Sequence, residues 1–510
     1  MKLKSILTMT RRGMLMASAF ALLATPMLSG FAAAQAKDGG TLVVGRPADV
    51  SSMNVYAHAT VEDEIVHPMV YDTLVYGAKN ELGYAPGLAE SWTFDAAANS
   101  YAFTLRENAK FADGTALTAA DVVFSINESK EKSTNYKGLI AGVTSVEAVD
   151  DRTVKVTLAG TDNLFLSGLI WVYIVPENYG GMAEADFFAT PNASGPFTMS
   201  EWTPGSSMAL AKNPNYWNAG ETHLDGVEMK IIQGDNERLA AFQSGAIDLY
   251  ENVRFDFMDQ IAEANRHIVN PTARTMILYT NNYKPPFDNI EVRKAMSMAI
   301  DRSAIAEALW PDLSTPVQGM LMPGTADTVP ATNGTWDYDP EAAKAALAAS
   351  PTPNAKIRLS AAYIRGVDEV LVQAVQSQLQ EVGFEVELNV SDFNTILGQV
   401  LKNDFDSWLI GNTTFGTTAA EMYNFYASAF GPLGGWDLET IGAGLAEYRT
   451  APDAAAREEA VRKFENLMRE TYASSPIGHP ATVFGVADGV MGLETLVTTA
   501  YRLDNIWLDR

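Results

Sequence analysis

The 510-residue chain contains no cysteine. That excludes disulfides, thiolate nucleophiles, thiolate metal sites and a lipid-anchored N-terminal cysteine. Histidine is nearly as scarce. His58, His67, His223, His267 and His479 stand far apart, without the short spacings of a metal site, and read as structural or solvated residues. There is no Gly-x-Ser-x-Gly elbow, no P-loop, no His-Glu-x-x-His and no full dinucleotide fingerprint. Gly442-Ala443-Gly444 lacks both a third glycine and a preceding strand. No nucleophile with its base is therefore legible, although acidic residues are abundant enough to leave a glycosidase-type carboxylate pair open. Beyond the N-terminus, no apolar run approaches the roughly 18 residues of a membrane helix. Positive charge is sparse as well: 36 basic residues face 62 acidic ones, for a net charge of −26. Such a surface repels nucleic acid and anionic lipid.

What is present begins with a leader. Lys2, Lys4, Arg11 and Arg12 form a basic start, Met14 to Leu28 is apolar, and Ala34-Gln35-Ala36 is a small-x-small cleavage site. Residues 1–36 are therefore expected to be a signal peptide, with the mature chain starting near Lys37. Thr10-Arg11-Arg12-Gly13-Met14-Leu15 is similar to a twin-arginine signal but departs from it at Gly13 and Met14, which leaves the Sec and Tat routes open. Removing the leader takes four basic and no acidic residues, so −26 becomes −30. The remaining length suits two or three domains, and 47% apolar residues is ordinary for a soluble globular protein.

The densest pattern runs from Gly87 to Ile126. Tyr101, Phe103 and Leu105 alternate with Ala102, Thr104 and Arg106, the period of a half-buried strand. Asp113-Gly114 supplies a turn, and Thr118 with Asp121 predicts a capping box opening a helix through Val122, Val123 and Ile126. Elsewhere, Thr41 to Gly45 reads as the first mature strand, Glu62 to Tyr76 as a helix, and Val146 to Leu158 as a hairpin around Asp150-Asp151. Helices are expected over Asn236 to Ser244, Glu291 to Ile300, Pro340 to Ala349, Asp368 to Val382, Asp392 to Lys402 and Ala454 to Thr471. Strands at Lys356 to Ala361, Phe384 to Val390 and Phe405 to Ile410 alternate with those helices, which predicts a largely parallel sheet.

Four sub-motifs in order carry a resemblance: Leu88-Ala89-Glu90-Ser91-Trp92, Tyr101 to Arg106, Phe111-Ala112-Asp113-Gly114, and Leu117 to Ser125. Gly245-Ala246-Ile247-Asp248, Val292-Arg293-Lys294-Ala295 and Ala299-Ile300-Asp301-Arg302 extend it along the chain. Together they resemble the extracytoplasmic solute-binding proteins of ABC importers, in the peptide/nickel-type family (family 5, dipeptide/oligopeptide-binding-protein-like). The resemblance implies an α/β, two-lobed periplasmic binding protein fold of type II, in the large cluster with an extra domain. Mixed sheets flanked by helices would enclose a hinged cleft. It implies domain I at 37–68, 191–280 and 490–510, domain II at 69–190, and domain III at 281–489.

The implied role is a periplasmic binding component, exported and not lipid-anchored. It would be a monomer without catalysis, metal or cofactor, handing a small peptide or peptide-like solute to ABC permease subunits. An oligosaccharide, an opine or another polar solute is the alternative in the same role; a secreted hydrolase or a sensor-coupled binder is more distant. The family's cleft contacts fall here on His58 and Thr60, on Trp171 and Tyr173, and on Asn412, Thr413, Thr414 and Phe415, with Trp408 either in the cleft or in the core. Leu169 to Ile174 also reads as a buried strand. Trp92, Trp202 and Trp217 read as framework. One departure stands out. Peptide-binding members carry acidic residues after the position of Gly411, one of which pairs with the peptide's α-amino group, whereas Asn412 to Ala420 contains none and Glu421 is the nearest acid.

Overall fold

Three sheets carry the architecture of the computed structural model, which describes residues 36–57, 60–78, 83–262, 266–270, 274–321, 327–363, 367–413, 418–495, 501–503 and 505–510. The expected leader lies outside the described residues except for Ala36. Among the described residues no helix is long and apolar enough to cross a membrane.

A seven-stranded sheet is ordered Arg266–Asn270, Thr482–Val486, Leu249–Tyr250, Thr41–Arg46, Gly226–Ile231, Ser207–Lys212, Phe197–Thr203. Its central strand Thr41–Arg46 runs parallel to both neighbours, while the outer pairs are antiparallel. Leu42 and Val44 point from this strand into a core shared with Val227, Met229, Leu249 and Phe484. The alternation of strand side chains requires that arrangement.

A four-stranded antiparallel sheet, Ala89–Asp95, Ser100–Leu105, Thr153–Leu158, Val143–Asp150, holds the densest motif of the sequence. Phe103 and Leu105 are buried with Val122 and Ile126 of the helix Ala119–Lys132. The Asp121 carboxylate accepts the Thr118 N–H at 2.7 Å, so the predicted cap forms.

The third sheet is ordered Ser314–Thr315, Ser474–Pro480, Arg274–Thr280, Ser407–Thr413, Lys356–Ala361, Glu385–Val390. The expectation of a largely parallel sheet holds only for its last three strands. These are joined by crossovers through Glu369–Glu381 and Phe393–Leu401, and crossovers through helices make parallel neighbours. Arg274–Thr280 enters instead from the seven-stranded sheet and pairs antiparallel on both sides. Its side chains divide between two layers. Met276 and Leu278 meet Val292, Met296 and Leu371 on one face, while Ile277 and Tyr279 meet Trp408, Tyr426 and Phe464 on the other.

Six helices around this sheet start on an aspartate. Asp301, Asp339, Asp368, Asp392, Asp437 and Asp453 each accept the N–H three residues on, at 2.8–3.1 Å. Part of the acidic surplus therefore serves as N-caps.

One helix differs from expectation. The helix expected over Glu62 to Tyr76 stops at Val70, and the chain turns through Tyr71 into the strand Val75–Gly77. The reason is tertiary. Gly195 N donates to the Val70 carbonyl at 2.9 Å, which takes the acceptor a longer helix would use.

Two short crossings join the large sheets. The chain passes from Arg266–Asn270 to Arg274–Thr280, and returns from Ser474–Pro480 to Thr482–Val486 through Ala481 alone.

Candidate functional site

A wall of aromatic rings and buried carboxylates stands where the four-stranded unit meets the six-stranded sheet. Tyr136, Leu139, Leu164 and Trp171 belong to the same apolar cluster as Ile277, Tyr279, Trp408 and Tyr426.

Trp171 is placed by a helix end. The run from Leu169 to Ile174 is not the strand it resembles in sequence: Phe165–Leu169 is helical, and Trp171 N donates to the Gly168 carbonyl at 3.2 Å in the following turn. Gly168 allows this packing, because a Cβ there would lie 2.5 Å from the Ile140 side chain. The indole stacks on the Tyr136 ring at 4.5 Å between centroids and 4° between planes. Tyr136 Oη donates to Glu64 Oε1 at 2.9 Å. Burial, with the Glu64 charge beside it, holds the Tyr136 phenol well above its ordinary range.

Glu64 lies in the first turn of Val61–Val70, between Asp63 and Ile65, and Glu62 is buried beside it. Thr60 is the N-cap of this helix. Its hydroxyl accepts the Asp63 N–H at 3.3 Å, and the Asp63 carboxylate accepts the Thr60 N–H at 2.9 Å. Thr60 thus orients the helix that carries both glutamates. His58 lies outside the described residues.

Tyr173 and Trp171 part company. Tyr173 packs on His67 at 5.7 Å and Tyr71 at 6.0 Å in the core of the seven-stranded sheet, two residues from an indole that faces the other way. Trp408 is 1% exposed and lies among Tyr279 and Phe393. Asn412 is buried and donates from Nδ2 to Tyr279 Oη at 2.8 Å. Thr413 ends the strand Ser407–Thr413 opposite Arg274, and Thr414 and Phe415 lie outside the described residues. Trp202 and Trp217 are half-buried and donate from Nε1 to Asp49 at 3.0 Å and Asp72 at 2.7 Å; Trp92 is half-buried against Phe103.

Glu421 occupies the third position of the helix Ala419–Phe425, after the N-cap Thr418, and is 2% exposed. The acid absent from Asn412 to Ala420 is followed at once by a buried one. Burial pushes the Tyr84 phenol up, and the Glu421 charge adds to that shift.

Where the chain crosses between the large sheets there is a small cavity of about 10 Å³, lined by Val61, Glu62, Ile65, Glu251, Asn252, Arg274 and Phe484. That is room for about one water molecule. Arg274 Nη2 donates to Asn252 Oδ1 at 3.1 Å across the crossing. Glu251 pairs with Arg46 at 3.1 Å and accepts from Tyr501 Oη at 2.5 Å.

Sequence reading missed Tyr136, Glu64 and Arg274. Glu64 carried a faint signal, as one of three successive acids at a helix start, but that pattern is normally a solvated complement to the helix dipole. Tyr136 carried none. Chemically, the wall combines buried aromatic faces with buried carboxylates that accept positive charge or N–H.

Comparison with known proteins agrees in kind. The sequence model of the family described as "Bacterial extracellular solute-binding proteins, family 5 Middle" matches residues 83–432. The glutathione-binding protein GsiB of Shigella flexneri serotype 5b (strain 8401) is 27% identical over 382 residues, 72% of each chain. The periplasmic binding protein DppA from Helicobacter pylori, in complex with the peptide STSA, superposes with a TM-score of 0.83 at 22% identity, over 93% of this chain and 99% of that one. AgaA of A. tumefaciens R10, in complex with agropinic acid, has a TM-score of 0.78 at 26% identity, over 91% of this chain and 96% of that one.

Proposed function

This chain belongs to the bacterial extracellular solute-binding proteins of family 5, and from that membership we propose that it captures a short peptide or amino-acid conjugate between two lobes and delivers it to the membrane permease of an ABC importer. The observation that carries the reading is the shared cluster at the junction, in which Trp171 and Tyr136 of one side meet Tyr279, Trp408 and Tyr426 of the other. A solute held there contacts both sides, and contact with both favours closure. Glu421 is the candidate partner for the solute's ammonium group, and Trp171 for an apolar face.

The working partition is a first domain on the seven-stranded sheet, a small second domain on the four-stranded one, and a third on the six-stranded one. The protein acts as a periplasmic monomer after cleavage near Ala36, without catalysis. An opine is the second reading, because Asn412 to Ala420 lacks the acid expected of a peptide binder and offers amide and hydroxyl groups instead.

Isothermal titration on protein freed of bound solute by unfolding and refolding tests this. The panel is glutathione, dipeptides, a tetrapeptide, agropinic acid and a maltooligosaccharide. One-to-one binding of glutathione or a peptide at about 1 μM or tighter is expected, near −8 kcal/mol. Binding of agropinic acid alone selects the second reading, and turnover of any bound solute overturns the non-catalytic one.

A further inference from the structure

A contact far from the covalent crossings joins the four-stranded unit to the helices of the six-stranded sheet. Asp162 and Asn163 follow the strand Thr153–Leu158 and precede the helix Phe165–Leu169. Tyr448 and Arg449 lie in the last turn of the helix Leu438–Thr450, and Ala451 is its C-cap. Arg449 Nη1 donates to both Asp162 carboxylate oxygens, at 2.9 and 2.6 Å, and Nη2 donates to the Gly138 carbonyl at 2.5 Å. Asn163 N donates to the Arg449 carbonyl at 2.9 Å, and its Nδ2 donates to the Tyr448 and Ala451 carbonyls, each at 2.9 Å.

The carbonyls that end a helix have no partner within it. Here Asn163 donates to three carbonyls of the helix end from across the junction, and the Tyr448 carbonyl accepts the Ala451 N–H at 3.2 Å as well; a helix end facing solvent would use water. Arg449 is a basic residue in the last turn, where the helix dipole favours it, and its fork meets a carboxylate. The side chains of Arg449 and Asp162 are only 19% and 7% exposed, so solvent screens them little. Gly142 clears the space: a Cβ there would lie 2.7 Å from Asp162 Oδ2.

We infer that Asp162, Asn163 and Arg449 form a latch that populates the closed arrangement of the two sides before any solute arrives. They are positioning residues: they set solute affinity by fixing the fraction of molecules already closed, without touching the solute. An affinity that depends on a minor competent state is reduced by that state's population. The effect on affinity rests on the proposed function; the effect on closure does not.

The absence of cysteine permits a direct test. Glu147→Cys and Glu459→Cys, exposed on the two sides, are labelled with nitroxides in an otherwise native chain, and their distance distribution is measured by pulsed electron resonance without solute. Wild type is expected to show a short-distance population, and Arg449→Ala to lower its closed-to-open ratio roughly fivefold or more. Asn163→Ala, which keeps the ion pair and the net charge, is expected to shift it the same way. Glutathione as probe should return the variants to the short distance, with affinity weakened by the same factor as the solute-free closed fraction. A distribution identical in wild type and both variants overturns the latch, even if the melting temperature falls. A shifted distribution with no response to glutathione keeps the latch and counts against glutathione as the solute.

Discussion

Trp171 and Tyr136 lie face to face, 35 residues apart in the chain, 4.5 Å between ring centroids and 4° from parallel. The stack joins two loops of the four-stranded unit into one surface, and the Tyr136 hydroxyl ties it to Glu64. Trp171 is also buried, so removing it costs stability as well as binding surface. Trp171→Ala is expected to lose about 3 kcal/mol of unfolding free energy in the solute-free protein. Trp171→Phe keeps a ring to stack and should lose less than half of that. Tyr136→Phe keeps the ring but removes a hydrogen bond to a buried carboxylate, for roughly 1.5–3 kcal/mol. Urea unfolding monitored by circular dichroism measures all three.

Glu465 and His479 titrate in opposite senses on either side of Gly319. The Glu465 carboxylate accepts the Met320 and Leu321 N–H groups at 2.8 Å each, yet burial raises it from 4.5 to about 7. Burial lowers His479 from 6.5 to about 4. A raised carboxylate adds stability fully below its unfolded value and loses it as pH rises through about 7. A depressed imidazole adds stability above its unfolded value and loses it as pH falls through about 4. Each amounts to about 3 kcal/mol at 1.36 kcal/mol per unit, and between roughly pH 4.5 and 6.5 the two oppose each other. Glu465→Gln should therefore make stability climb with pH across that window, and His479→Gln should make it decline. Equilibrium unfolding at several pH values checks the slopes; equal slopes in both variants would contradict the assignment.

Gly195 is required by its neighbour rather than by its own torsion. A Cβ on it would lie 2.5 Å from the Val70 carbonyl carbon and 2.9 Å from Tyr71 N, both backbone atoms that cannot move aside alone. Gly195→Ala is expected to cost about 2–3 kcal/mol as overpacking, read as a lower unfolding midpoint.

Arg46 and Glu251 form an ion pair with side chains 1% and 2% exposed, and Tyr501 donates to the same carboxylate. Arg46→Ala strands Glu251 and should cost about 3–5 kcal/mol. Arg46→Met combined with Glu251→Gln should recover more than half of that loss in the same denaturant measurement, because neither member of the pair is then left charged without the other.

Much of the fold was legible locally. The helix Ala454–Thr471 and the strand Lys356–Ala361 fall where periodicity places them. The cap at Asp121 forms as read, and so does the hairpin that opposes Val146 to Val156. Less of the candidate site was legible. The run Leu169 to Ile174 has strand composition but forms a helix end and a turn, because Gly168 packs against Ile140. Trp171 and Tyr173 share a local pattern and end in different cores. The pairing direction of Arg274–Thr280 could not be read either, since it depends on which sheet the chain has just left.

The sequence by itself determined the family motifs from Leu88 to Ser125 and most of the element types, because each depends on residues within a few positions of one another. Only the tertiary structure decided which of those elements meet. Glu64 and Tyr136 are separated by 72 positions, and Asn163 and Tyr448 by 285. Such contacts are selected by the packing of whole faces and the burial of their polar groups, and no local pattern encodes a partner that far along the chain.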